Sequence, residues 1–318
     1  MKNIYLNIYK PNLANLKKAK KSIENNNIIA MPTETVYGLA GNAYSEKSVK
    51  KIFKLKKRPN YNPLIVHYQN LSSLKKDAVY GESFIKLYKA LCPGPITFIL
   101  NKKKSSRICQ SVNMKGKTIA VRFPNHKIAK SLLKILNVPL AAPSANISSK
   151  LSPTSAYDVV DEFFDKVKII LNGGICKIGL ESTIIDLTGK PTILRQGSVT
   201  QNTLQIILKK KISIQKNRKE IKSPGQLKFH YSPGIPLFMN RIKSKKNEAF
   251  MIIGKKFGRR KNYFNLSKKG NLKEAANNLY KTMRKIKKLN FRSIAVCKIP
   301  NIGIGQAIND RLKRASYK

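Results

Sequence analysis

The sequence predicts an α/β protein built as two unequal units with a linker between them. Three observations carry that expectation. Short apolar runs closed off by Asn, Gly or Pro, such as residues 28–31 and 64–66, alternate with stretches whose apolar residues recur at helical spacing. The chain has 318 residues, enough to bury a sizeable core and to suggest roughly two domains. Residues 209–236 then lose the apolar periodicity and carry Lys-rich sequence and Pro-bounded turns, after which the alternation resumes.

In chain order, residues 13–25 read as a first helix, with Leu13, Leu16, Ala19 and Ile23 on one face. Residues 28–31 form a buried strand that runs into Pro32-Thr33-Glu34-Thr35-Val36-Tyr37-Gly38-Leu39, read as a loop. Ser45 is a good N-cap with Glu46 in the first turn, and Val49, Ile52 and Phe53 give the following helix a core face. A strand returns at 64–66. The loop and the cationic segment around Lys56 and Arg58 are thereby expected at opposite ends of one strand-helix-strand unit, a common place for ligands in α/β folds.

Phe84, Leu87, Tyr88 and Leu91 mark a helix stopped by Pro93-Gly94-Pro95. Residues 96–100 and 118–123 read as strands, and the polar stretch 101–117 as a loop or hairpin. Ile128, Leu132, Ile135 and Leu136 mark a helix, 140–142 a buried strand, and Thr154 the cap of a helix holding Tyr157, Val160 and Phe164. A strand at 167–171 ends in the turn Asn172-Gly173-Gly174. Strands at 182–187 and 192–195 flank Gly189-Lys190-Pro191, and 200–208 is the last helix of the first unit, which ends near Leu208. The second unit, 237–318, is a small α/β domain with strands at 237–239, 250–253 and 293–296 and helices at 272–289 and 305–315.

Composition narrows the function classes. No window has the eighteen or so continuous apolar residues of a membrane span, and the N-terminus lacks the apolar core and cleavage site of a signal peptide. The four cysteines, Cys92, Cys109, Cys176 and Cys297, form no Cys-x-x-Cys pair, which argues against zinc or a disulfide framework and for a reducing, cytoplasmic setting. The formal net charge is +49. It favours a nucleic-acid or other anionic partner. Equally, Lys, Asn and Ile are abundant together, Lys far outnumbers Arg, and the lysines are spread along the chain, as an AT-rich genome would impose. On that second reading RNA affinity is weak, nonspecific and steeply salt-dependent.

Each chemical group taken singly has an ordinary explanation. Thr33 and Thr35 suit a turn, Lys56 and Arg58 a solvated face, and His67 a strand end. Together they place hydroxyls, cations, an amide and an imidazole beside two short buried strands.

These residues also resemble a family. Pro32 to Leu39, Lys56 with Arg58, and Ser144-Ala145-Asn146 are similar to the signature segments of the YrdC-like threonylcarbamoyl-AMP synthases. The likeness continues through Pro93-Gly94-Pro95-Ile96-Thr97, Val121-Arg122-Phe123-Pro124, Gly179-Leu180-Glu181-Ser182-Thr183 and Leu194-Arg195-Gln196-Gly197. It reaches the C-terminal segment 303–312, as in the long two-domain form. The resemblance implies a YrdC-like twisted, mixed open sheet with helices, plus a smaller Rossmann-like α/β domain. It implies a nucleotidyltransferase that makes L-threonylcarbamoyl-AMP from L-threonine, bicarbonate and ATP with release of pyrophosphate. The product would pass to the tRNA threonylcarbamoyl transferase complex.

The same resemblance places Arg58, Asn62, Thr118, Ser144, Ser152 and Arg195 near ATP, with Lys56 and Asn146 among the catalytic donors. It places Thr35, His67, Arg122, Ala142 and Ser182 around threonine, Arg122 being suited to a carboxylate by its bidentate fork. Magnesium would arrive with the triphosphate, and no dedicated acidic metal motif is present. In the linker, Lys228-Phe229-His230-Tyr231 departs by one position from the long form's Lys-x-x-His-Tyr. Tyr231 is expected either to close over the nucleotide as part of a lid or merely to glue the two units. Cys92 and Asn172 stand where many relatives have an aromatic and an Asp. Two rival readings are a tRNA or double-stranded RNA binding module and a carbamoyl-transfer module of the same fold. The first lacks clustered base-stacking aromatics, and the second lacks zinc-finger Cys pairs.

Overall fold

The computed structural model describes residues 5–114, 116–215, 230–258 and 260–316. The predicted hinge Pro224-Gly225 and the linker residues Lys228 and Phe229 lie outside the described residues.

The chain begins β1 (Ile8–Tyr9), α1 (Leu13–Glu24), β2 (Ile29–Met31), β3 (Gly38–Asn42), α2 (Glu46–Lys56) and β4 (Ile65–His67). It continues α3 (Leu71–Leu74), β5 (Ala78–Val79), α4 (Glu82–Leu91), β6 (Ile96–Lys102), α5 (Gln110–Asn113), β7 (Thr118–Arg122), α6 (Lys127–Leu136) and β8 (Leu140–Ala141). Then come α7 (Ala156–Phe163), β9 (Ile170–Leu171), β10 (Thr183–Asp186), β11 (Thr192–Arg195), α8 (Gln201–Leu208) and β12 (Ser213–Ile214). The second unit holds β13 (Leu237–Phe238), β14 (Glu248–Ile252), β15 (Tyr263–Asn265), α9 (Leu272–Lys288), β16 (Ser293–Val296) and α10 (Gly305–Ser316).

The first sheet is mixed, in the order β1-β9-β2-β3-β8-β4-β7-β6-β10-β11-β12, with β5 beside β6. The second is smaller, in the order β13-β16-β14-β15, and every pairing in it is parallel. A parallel sheet needs both faces covered. Phe250, Met251 and Ile294 to Val296 are fully buried, with Leu279, Met283, Ile308 and Leu312 of α9 and α10 in the same apolar cluster. That cluster also takes in Val36, Leu151, Leu180 and Tyr231, so apolar packing runs from one unit into the other.

Four local outcomes differ from the sequence expectation. First, β3 intervenes between the Pro32–Leu39 loop and α2, making an antiparallel hairpin with β2 in which Met31 faces Gly38. Two glycines hide this strand from a propensity reading. Gly41 is there because α2 crosses so closely that a Cβ would lie 2.4 Å from Ser48 Oγ. The extra strand reverses the chain, so the loop and the Lys56–Arg58 segment meet at one end of the sheet instead of standing at opposite ends.

Second, α7 is capped by Ser155 rather than Thr154, through a capping box with Asp158. Third, the polar stretch after β6 contains α5, and β12 lies inside the expected linker, parallel to β11. Fourth, β15 forms the edge of the second sheet, where its half-buried Tyr-Phe-Asn lacks the apolar alternation that marks a strand.

Gly41→Ala should cost about 1–3 kcal/mol, the range for forcing atoms into a packed site. Adding Ser48→Ala removes the clashing oxygen and should recover part of the loss. Urea unfolding of the two variants measures this, and a double variant less stable than Gly41→Ala alone would refute the proposed contact.

Candidate active site

The hairpin tip between β2 and β3 is locked by its own hydroxyls. Thr33 Oγ1 accepts from the backbone of Thr35 and Val36, each at 3.2 Å, and donates to Val36 O at 2.6 Å. A 2.9 Å hydrogen bond joins it to the Thr35 hydroxyl. The Tyr37 hydroxyl donates to Gly174 O at 2.8 Å and accepts from Gly173 N at 2.9 Å, which holds the Asn172-Gly173-Gly174 turn against the tip. Asn172 Oδ1 accepts from Gly174 N at 3.0 Å, so this departure from the family pattern occupies a turn position.

Beside the tip lies a narrow cavity of about 40 Å³. Of the predicted residues, Arg58, His67, Arg122, Ala142, Ser144, Arg195 and Tyr231 line it, joined by Thr33, Glu181 and His230. A larger hollow of about 660 Å³ between α2 and α5 shares only Arg58 with this set. Convergence of charged side chains, not size, marks the smaller cavity as the candidate site.

Other predicted residues stand behind the wall. Lys56 is buried, and its ammonium donates to Ser144 O at 2.6 Å and to Asn146 O. Burial first, then the neighbouring Arg58 charge, push its pKa well down. Lys56 therefore ties the 144–146 turn in place and does not reach into the cavity. Asn62 Oδ1 accepts from Arg58 Nη2 at 2.6 Å, and Asn62 O from Nε at 2.9 Å, so Asn62 aims the guanidinium. Asn146 Nδ2 spans Ile147 O at 2.8 Å and Lys150 O at 2.9 Å. Ser182 Oγ contacts Thr97 Oγ1 at 2.7 Å and accepts from Arg195 Nη2 at 3.1 Å. Ser152 donates to Glu181 Oε1 at 2.5 Å. Thr118 begins β7, at the strand end opposite Arg122, and does not line the cavity.

Three guanidiniums therefore reach the cavity from three separate segments, and their settings differ. Arg122 Nη2 pairs with Glu34 Oε1 at 2.8 Å, both side chains buried, while its Nε has no partner among the described residues. Arg195 Nε donates to Ser182 O at 3.0 Å. Arg58 donates to Asn62 and Pro63 and forms no ion pair among the described residues. Burial, then the nearby Arg195 charge, weaken Arg58's hold on its proton. His67 is buried next to Arg122, its Nδ1 unpartnered, and burial followed by the Arg122 charge pushes its pKa down to about 3. His230, buried as well, is likewise pushed to about 3.

Sequence reasoning missed the acids and their partners. Glu181 lines the cavity and accepts from Ser152, from the Tyr280 hydroxyl at 3.1 and 3.2 Å, and from Arg311 Nε at 2.9 Å. Burial works against its charge, but Arg311 and then Arg195 hold its pKa down at about 2. Tyr231 stacks on Tyr280 with centroids 5.7 Å apart, and its buried hydroxyl has no partner among the described residues. The carboxylate within the signature segment Gly-Leu-Glu-Ser-Thr was the available signal for Glu181. No cluster of three or more His, Cys, Asp or Glu side chains suits a metal ion among the described residues. With Glu34 and Glu181 both engaged, the wall does not fit a resident divalent cation. No helix of the described residues is long and apolar enough to cross a membrane.

Comparison with known proteins gives a consistent picture. Residues 21–197 match the Sua5/YciO/YrdC family profile described as "Telomere recombination", and residues 199–316 match "Threonylcarbamoyl-AMP synthase, C-terminal domain". The threonylcarbamoyl-AMP synthase of Pyrococcus abyssi is 36% identical, over 92% of each chain. That of Bacillus subtilis is 32% identical, over 95% of this chain and 92% of its own. The crystal structure of Pyrococcus abyssi Sua5 complexed with L-threonine superposes with a TM-score of 0.88 at 32% identity, covering 97% of this chain and 96% of that one. Escherichia coli YciO, at 24% identity and a TM-score of 0.53 over 60% of this chain, shares the fold.

The two buried neutral histidines set a pH dependence. Unfolded, each takes up a proton below its ordinary pKa of 6.5, whereas folded it resists until about 3. Stability should therefore fall as pH drops from 6.5 towards 3, by about 1.4 kcal/mol per pH unit for each histidine. Glu181 adds to the loss below 4.5, as its carboxylate is protonated on unfolding. Urea titrations between pH 7.5 and 5.5 report the slope, and His67→Gln should lower it, leaving the part due to His230 and to His126, whose pKa burial also lowers. An unchanged slope in that variant would show that His67 is not held neutral.

Proposed function

The chain belongs to the Sua5/YrdC family of threonylcarbamoyl-AMP synthases, and from that premise we propose that it joins L-threonine, bicarbonate and ATP into L-threonylcarbamoyl-AMP, releasing pyrophosphate. The observation that carries this reading is the convergence of Arg58, Arg122 and Arg195 on one cavity wall. Buried guanidiniums close to one another raise each other's energy, and an anion relieves it. Arg58, without a carboxylate partner among the described residues, is the cation most in need of one.

In this reading Arg58 and Arg195 receive the triphosphate, with Ser144 as a neutral donor. Asn62, Lys56, Asn146 and Ser152 keep those groups in position. Arg122, whose Nε has no partner among the described residues, takes the threonine carboxylate, and His67, Thr35, Ala142 and Ser182 shape the surrounding pocket. The relative from Pyrococcus abyssi, crystallised with L-threonine, supports threonine as the amino acid. Bicarbonate takes up a proton and releases water to give carbon dioxide; the threonine amine adds to it and gives up a proton in turn, giving a carbamate. A carbamate oxygen then attacks the α-phosphorus as the bond to the β-phosphate oxygen breaks, and pyrophosphate leaves with the electron pair. The chain's part is positioning and charge neutralisation. Magnesium enters as the counter-ion of ATP, and no step is assigned to it here.

A cavity of about 40 Å³ is too small for ATP, and His230 and Tyr231 are among the residues that line it. The 230–231 segment must therefore swing aside for binding and can return to keep water from the labile anhydride. The product serves threonylcarbamoyladenosine modification of tRNA in the cytoplasm, through the transferase complex that consumes it.

Purified protein should release pyrophosphate from ATP only when threonine and bicarbonate are both present. Release that is equal without threonine would refute the assignment.

Arg58→Ala should weaken ATP binding, and Arg122→Ala mainly threonine binding. Each loses a charge-assisted contact of about 1.5–3 kcal/mol, roughly ten- to 150-fold in affinity. Calorimetric titration separates the two, and equal losses of both ligands in both variants would contradict the division of labour.

A further inference from the structure

One side chain of the second unit reaches the cavity wall at three points. Arg311, on α10, is fully buried. Its Nε donates to Glu181 Oε2 at 2.9 Å, and its Nη2 to Gln196 O, also at 2.9 Å, on the residue that follows Arg195. Its guanidinium carbon lies 5.1 Å from the centre of the Tyr231 ring. Nη1 is held by the adjacent Asp310 at 2.7 Å.

A strap between two units needs only a salt bridge somewhere at their junction. This one is spent on a carboxylate that faces the cavity. A carboxylate there opposes the binding of a polyphosphate, and it competes for the guanidiniums that would bind it. Both Glu181 oxygens are instead taken up by Ser152, Tyr280 and Arg311. Ser152 is the one donor among these from the first unit; Tyr280 and Arg311 come from α9 and α10 of the second.

We propose that Arg311 is a positioning residue of the ATP site: it masks the Glu181 carboxylate and braces the 195–196 turn, so that the cavity presents guanidinium rather than carboxylate to the phosphates. The docked second unit thereby sets the charge of a site whose binding groups lie mostly in the first. This deepens the proposed function and rests on it. The neutral variant Arg311→Met leaves the acid unmasked, and a second substitution, Glu181→Gln, removes that acid while keeping its shape. A role confined to holding the units together predicts that R311M weakens ATP and threonine binding alike, because neutralising Glu181 would then relieve the docking and not the phosphate site alone.

The test is calorimetric titration of full-length wild type, R311M, E181Q/R311M and R311K with ATP and, separately, with L-threonine. R311M should lose ten-fold or more in ATP affinity with threonine affinity changed less than about three-fold. E181Q/R311M should return ATP affinity to within about three-fold of wild type, and R311K, which keeps the charge, should lose less than R311M. A double variant no tighter than R311M, or equal losses of both ligands, overturns the inference. If R311M does not fold, R311K and the double variant decide: ATP binding weakened ten-fold in both overturns it, and near-wild-type binding in both supports it. A wild type that binds no ATP overturns the proposed function itself, whereas a wild type that binds ATP no more tightly than R311M overturns only this inference.

Discussion

A carboxylate taken out of water has to be compensated, and Glu181 is buried at the point where both units and the linker meet. The cost of an unpaired charge at such a depth is several kcal/mol, comparable with the whole stability of a domain. The fold meets it with three donors: Ser152, the Tyr280 hydroxyl shared between both oxygens, and Arg311. The bonds from Tyr280 and Arg311 cannot form unless α9 and α10 are docked against the segment after β9. Gly179 permits the docking: its φ is +76°, and a Cβ there would stand 2.7 Å from the backbone of Asn277 on α9. Asn277 Nδ2 donates to Cys176 O at 2.6 Å and Arg284 Nη2 to Leu151 O at 2.5 Å, so the contact is polar along its length as well as apolar at its centre.

The same device recurs around the cavity. Lys56 satisfies two backbone carbonyls of the 144–146 turn, and Glu34 pairs Arg122 while accepting from Asn125 N at 3.1 Å. Each buried charge immobilises a loop that has no regular secondary structure to stiffen it. A short irregular segment is otherwise the most mobile part of a fold. Here the loops become rigid walls whose donors point at one place, which is the condition for binding an anion without reorganisation.

The basic residues divide between the cavity wall and the surface. The cations that line the cavity are arginines, whereas lysines supply most of the net charge of +49. Among the described residues Lys56 is the buried lysine, and the rest are at least partly exposed. Arg holds a planar fork that Lys cannot reproduce at Arg58, Arg122, Arg195 or Arg311. The surface field still raises the local concentration of an anionic substrate.

The sequence by itself determined the elements and their order wherever periodicity was strong. α1, α2, α4, α6 and α9 fall where apolar spacing and caps place them, because local hydrogen bonding and a single buried face decide a helix. The signature segments likewise contained several of the residues that line the cavity, Arg58, Arg122, Ser144 and Arg195 among them. Tertiary structure alone decided the rest. β3 is a strand because β2 and β8 pair with both of its edges, and Gly41 is needed for the close approach of α2. Lys56 reads as a catalytic cation in a linear motif, yet its reach and burial spend it on two carbonyls. Glu181 and Arg311 are 130 residues apart, and no local pattern couples groups whose only common constraint is the cost of leaving either charge unpaired in the interior.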